Sequence, residues 1–119
     1  MHESIRKVCC LADLPEGGSR GFTLTSGNVC EDIFLVRKHG RVSAYRNSCP
    51  HTGGPLDWVP DRFLNLDGDL IQCATHDALF RIEDGVCVTG PCVGSRLTPL
   101  QVEISNEDVC VLTDGLRFR

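Results

Sequence analysis

The chain has no excess of positive charge: 12 Lys and Arg stand against 16 Asp and Glu, a formal net charge of −4. Nothing in it supplies the basic stripe that neutralises phosphates, which argues against nucleic acid as a partner. No stretch approaches the ~18 uninterrupted apolar residues of a membrane span, so no membrane partner is expected either. The opening Met1-His2-Glu3-Ser4-Ile5-Arg6-Lys7 lacks the basic-then-apolar layout of a secretory leader, and the expected compartment is the cytoplasm. Room for long helices is scarce, because 12 Gly and 6 Pro are scattered through 119 residues. There is no internal repeat, no low-complexity tract and no second domain, so residues 1–119 are read as one domain.

What the chain does have is cysteine, eight in all. That falls below the roughly 8–10% typical of a disulfide-stapled secreted scaffold, and a chain of this length can bury a core of its own. In a reducing compartment cysteine more often means metal ligation, catalysis or core packing.

The apolar residues recur with a period of two. Phe22 and Leu24 alternate with Thr23 and Thr25, Val42 and Ala44 with Ser43 and Tyr45, and Leu100, Val102 and Ile104 with Gln101 and Glu103. Side chains two apart on a strand share a face, so each run reads as a half-buried strand. His39-Gly40, Asp67-Gly68, Asp84-Gly85 and Ser105-Asn106 supply turn chemistry between runs. The expected hairpins pair Ile33–Val36 with Val42–Arg46, Phe63–Leu66 with Leu70–Cys73, Leu79–Ile82 with Val86–Val88, and Leu100–Ile104 with Val109–Leu112. Many short strands with regular turns predict an all-β domain, an antiparallel sandwich or small barrel.

Two segments stand apart: Cys49-Pro50-His51-Thr52-Gly53-Gly54-Pro55-Leu56 and Cys73-Ala74-Thr75-His76. Each puts one Cys and one His on a loop at a strand end, where a thiolate and an imidazole can face a common centre. Three readings compete. Both residue types also serve as plain packing, since free Cys is among the most buried residues. Structural zinc takes two Cys and two His, but its usual spacings pair Cys with Cys and His with His. The mixed C-x-H and C-x-x-H arrangement is what a Rieske [2Fe–2S] centre needs, with His replacing Cys on one iron.

At these residues the sequence closely resembles the Rieske ferredoxin family. The likeness runs from Val8-Cys9-Cys10-Leu11-Ala12-Asp13-Leu14-Pro15 through Cys-Pro-His-Thr-Gly-Gly-Pro-Leu to Gly90-Pro91-Cys92 and the final hairpin. The resemblance implies a β-sandwich base with a small cluster-binding subdomain, its loops lying within about 47–92. It implies one [2Fe–2S] cluster, with Cys49 and Cys73 on one iron and His51 and His76 on the other. A third, Pro-containing loop closes over the cluster in such proteins, and Gly90-Pro91 matches it. The stretch from 52 to 72 is longer than in many members and reads as an enlarged surface connection, with Trp58 packing on its own loop.

Histidine ligation sets the redox character. Two ferric ions, two sulfides and two thiolates sum to a neutral centre, whereas four thiolates would leave a dianion. Adding an electron to the neutral centre costs less, so Rieske potentials lie at about −150 to +300 mV against about −400 mV for plant-type ferredoxins. High-potential members usually carry an extra Cys in each cluster loop and a hydroxyl two residues after the second His. Here Gly54, Thr75 and Ala78 occupy those positions and Asp77 adds a carboxylate, so the low end of the range is expected.

The resemblance implies an electron carrier that takes single electrons from a flavin-dependent reductase to a terminal oxygenase. The partner would dock around Pro50, His51, Gly53 and His76, and the chain would act as a monomer. It is not expected to be an enzyme alone, because a mononuclear iron site needs two His and a carboxylate. Only His2 and His39 remain for one, and nothing brings them together. A redox-sensing or regulatory subunit and a zinc-stabilised binding module are the alternatives. Cys9, Cys10, Cys30, Cys87, Cys92 and Cys110 are expected to pack, although Cys92 follows Gly90-Pro91 and could approach the cluster.

Overall fold

The computed structural model describes residues 5–26, 29–50, 53–57, 59–73 and 78–112. Among the described residues ten strands run in the order β1 (Ile5–Cys10), β2 (Ser19–Ser26), β3 (Val29–Lys38), β4 (Arg41–Arg46), β5 (Leu70–Cys73), β6 (Ala78–Arg81), β7 (Cys87–Thr89), β8 (Pro99–Leu100), β9 (Val102–Ser105) and β10 (Asp108–Leu112). A single 3-10 turn, Leu11–Asp13, follows β1, and there is no α-helix among the described residues. The strands form three antiparallel sheets of order β1-β10-β9, β2-β3-β4-β8 and β5-β6-β7. The all-β antiparallel class read from the alternation is the class observed.

The middle sheet is covered on both faces, and β3 explains how. Ile33, Phe34, Leu35 and Val36 are all fully buried. Alternate residues of a strand point to opposite faces. Ile33 and Leu35 therefore join Ala44, Leu100, Cys9, Val109 and Val111 in a core against the β1-β10-β9 sheet. Phe34 and Val36 join Tyr45, Phe63, Ile71, Phe80 and Leu97 in a second core against the β5-β6-β7 sheet. The strand is thus not half-buried as its neighbours are. A continuous apolar run of four is the pattern of a strand sandwiched on both sides.

The β3–β4 hairpin turns on His39 and Gly40, whose φ values of 55° and 75° suit a two-residue loop with positive φ at both positions. Glu16 caps it, its carboxylate accepting from the His39 and Gly40 backbone N–H groups. The β9–β10 turn centres on Asn106 and Glu107, both at positive φ, one residue later than the expected Ser105-Asn106. Leu100 leaves the expected β9 run and pairs with Ala44 of β4 instead. The expected Phe63–Leu66 strand reduces to one bridge, Leu64 opposite Ile71, flanked by the Asn65 N–H to Leu70 O and Gln72 N–H to Phe63 O bonds.

Candidate metal centre

Two loops emerge beside the second core. The first follows β4. Its base is organised by Asn47, whose backbone N–H donates to Asp32 O at 2.8 Å. The Asn47 Oδ1 accepts from the Leu56 N–H at 2.7 Å, and its Nδ2 donates to Asp57 Oδ1 at 3.0 Å. One side chain thereby ties the two stems of the loop together. Within it, the Cys49 N–H donates to Gly54 O and the Gly53 N–H donates to Cys49 O, each at 2.7 Å. Ser48 Oγ adds a bond to Gly53 O at 3.2 Å. Cys49 is 1% exposed, its side chain turned into the second core.

The second loop joins β5 to β6. Cys73 ends β5 opposite Ala78, which opens β6, so the strand pair closes at the base of the loop. Cys73 is also 1% exposed and belongs to the same buried cluster as Cys49. Two thiols, one from the first loop and one from the end of β5, thus face the same core. His51, Thr52, Trp58, Thr75, His76 and Asp77 lie outside the described residues, as does His2. Among the described residues no group of three His, Cys, Asp or Glu side chains converges to hold a metal.

Cys87 opens β7 and Cys92 lies on the third loop that follows; the sequence marks both for packing and lets Cys92 approach the cluster. Cys87 and Cys92 join Cys49 and Cys73 in that cluster, and the Cys92 Sγ lies 3.3 Å from the Cys87 Sγ. Burial, the Cys87 thiol and then the nearby Cys49 and Cys73 sulfurs push the Cys92 thiol up to about 12. Cys92 therefore does approach the candidate ligands. Cys9 packs in the other core, and burial, with Asp13 nearby, raises its thiol above the usual range. Cys10 and Cys30 correct the packing expectation, since both are exposed. Cys9 and Cys10 alternate across one strand, so the inward phase can serve only one of them.

The connection between the two cluster loops is more than an enlarged surface excursion. Phe63 is fully buried and stacks on Phe34 with ring centroids 4.2 Å apart. Asp61 stitches the same connection to β2, its Oδ1 accepting from the Gly21 N–H and its carbonyl from Ser19 Oγ, both at 2.8 Å.

Known proteins share this fold. The model of the Rieske [2Fe-2S] domain matches residues 4–106. The chain belongs to the Rieske [2Fe–2S] family. It is 32% identical over 96 residues to the ferredoxin component of the alkene monooxygenase system of Xanthobacter autotrophicus, covering 81% of this chain and 72% of that protein. Its fold matches the ferredoxin of carbazole 1,9a-dioxygenase from Nocardioides aromaticivorans IC177 with a TM-score of 0.72, at 23% identity over 91% of this chain and 96% of that one. A chain in the complex of reduced oxygenase and oxidised ferredoxin in carbazole 1,9a-dioxygenase matches with a TM-score of 0.72 and 25% identity, covering 91% of this chain and 92% of that one. A Rieske domain binds one [2Fe–2S] cluster, and Cys49 and Cys73, both buried in one core, supply the donor type that its thiolate-held iron takes.

Proposed function

We propose that this chain is a small electron-transfer protein, a Rieske ferredoxin that passes single electrons from a reductase to a terminal oxygenase. The observation that carries the reading is that Cys49, on the first loop, and Cys73, at the end of β5, are both buried in one core of a chain of this family. Cys49 and Cys73 would hold one iron, and His51 and His76 the other. When bound, the cluster supplies a one-electron couple. The chain's own residues hold its surroundings: Asn47 fixes the first loop, the Cys73–Ala78 pair closes the second, and Cys92 lies in the same core as the two candidate thiolates.

The relatives support the partner class, since one is the ferredoxin component of a monooxygenase system and another a dioxygenase ferredoxin. Ferredoxin components of this kind carry electrons and do not catalyse alone. The proposed docking surface lies around His51 and His76, where the neighbouring Pro50 and Gly53 are exposed. Pro91 and Val93 of the third loop are exposed as well, Val93 at 62%, and would extend that surface with apolar area. Residues 1–119 are proposed to form one domain acting as a cytoplasmic monomer, with a flavin-dependent reductase as electron donor. No helix among the described residues is long and apolar enough to cross a membrane.

Rapid mixing of the chemically reduced protein with a terminal oxygenase of this class tests the reading. Reoxidation by one electron per cluster is the expected result. A stoichiometric complex that survives purification without any turnover-linked reduction would replace the carrier by a regulatory subunit.

A further inference from the structure

The start of β7 and the third loop after it bring together a pair of thiols placed for chemistry that the electron carrier does not use. Their approach is fixed by backbone. The Cys87 N–H donates to Ser95 O at 2.9 Å, the Gly94 N–H donates to Cys87 O at 3.4 Å, and the Ser95 N–H donates to Cys92 O at 2.9 Å. The turn at 92–95 therefore folds back on β7 and sets Cys92 against Cys87. The Cys87 S–H donates to Thr89 O at 3.3 Å. A carbonyl can only accept, so the single proton of Cys87 is committed there, and the 3.3 Å sulfur contact is Cys92 donating to a Cys87 lone pair.

We propose that Cys87 and Cys92 form a reversible disulfide site beside the cluster ligands, closed by a low-molecular-weight disulfide such as glutathione disulfide. A disulfide needs its sulfurs at about 2.05 Å, so the pair must close by roughly 1.3 Å. The ring formed spans only the loop from 87 to 92, and the loop-closure entropy is already met by the folded turn. The small disulfide reaches the pair through the loop itself, because Gly90, Pro91, Val93, Gly94 and Ser95 are exposed around the buried Cys92. Local opening of such a segment costs far less than global unfolding. In the first exchange, with the segment open, a thiol of the pair gives its proton to solvent and its sulfur attacks one sulfur of glutathione disulfide, releasing one glutathione thiolate and leaving a mixed disulfide. In the second, the other cysteine attacks the protein sulfur and releases the remaining glutathione. Two S–H bonds are lost and one S–S bond forms; two electrons pass to the glutathione disulfide, which leaves as two thiols carrying the two protons.

The site is tested on the anaerobically purified, cluster-containing protein. It is incubated with glutathione disulfide, its remaining thiols are alkylated, and its peptides are mapped by mass. The expected product is an internal Cys87–Cys92 link, lighter by two hydrogens, reversed by dithiothreitol and formed with no loss of iron. Cys92→Ser should lose the internal link and keep a glutathione on Cys87, and Cys87→Ser the converse. Iron content and visible absorbance establish that each variant is folded and loaded; should one fail to load, wild-type mapping alone decides. Glutathione on Cys10 and Cys30 with Cys87 and Cys92 left as thiols would overturn the proposal. So would an internal link involving Cys49 or Cys73 with iron released.

Discussion

Gly90 lies so close to Ala78 that a Cβ on Gly90 would stand 2.8 Å from the Ala78 Cα. That approach fastens the third loop to the first residue of β6, directly across the ladder from Cys73. Gly90 also adopts φ +107°, a conformation that L side chains rarely take. Gly90→Ala meets both penalties, and a loss of about 1–3 kcal/mol is expected. Thermal unfolding of the loaded protein, followed by the loss of its visible absorbance, measures it. Pro91→Ala, at an exposed position of the same loop, should lose much less.

Asn47 is a joint between the stems of the first loop. Asn47→Ala removes the acceptor for the Leu56 N–H and the donor to Asp57, and should cost about 1–3 kcal/mol. Asn47→Asp keeps the acceptor but sets a carboxylate against the Asp57 carboxylate, so it should not rescue. Iron retention during dialysis against a chelator is the readout, expected to fall for both variants.

Alkaline stability should depend on Tyr45. Burial, with help from Asp84 and Glu83, pushes this phenol from 10.0 up to about 12, and its hydroxyl donates to Ile82 O at 2.6 Å. The folded protein then holds the proton longer than the unfolded chain does. Its contribution is therefore full below pH 10 and is lost as pH rises from about 10 to about 12. Tyr45→Phe leaves the Ile82 carbonyl unpaired, so a loss of about 1–2 kcal/mol is expected at neutral pH. Denaturation midpoints across pH should show the gap between variant and wild type narrowing through the alkaline window.

Ala78 is fully buried at the base of the second loop and brings no hydroxyl. With no added donor to a cluster sulfur, the midpoint potential is expected near the low end of about −150 to +300 mV. A redox titration measures it, and Ala78→Ser should shift the midpoint upward. A strongly positive wild-type value would contradict this reading of the residues around the cluster.

The sequence made several hairpins legible through the turn between their strands, though the expected Phe63–Leu66 strand before Asp67-Gly68 reduces to one bridge. His39-Gly40 marks the β3–β4 hairpin because positive φ is written into its residues. β1 was not legible, since Ile5–Cys10 buries only Cys9 fully and pairs with β10 across nearly the whole chain. No local pattern encodes such a non-local partner. The candidate ligands Cys49 and Cys73 stood out through mixed Cys–His spacing, which is rare enough to carry chemistry. Asn47 did not, because one more Asn before a turn looks like ordinary loop composition. The Cys87–Cys92 contact was hidden for a similar reason: each thiol looks like a small apolar residue until the turn at 92–95 folds back.

Electron paramagnetic resonance of the dithionite-reduced protein tests the central claim most directly. A signal with an average g markedly below that of an all-thiolate cluster is expected, abolished in Cys73→Ser and intact in Cys110→Ser. A reduced protein with no signal, colourless and carrying equimolar zinc, would contradict it.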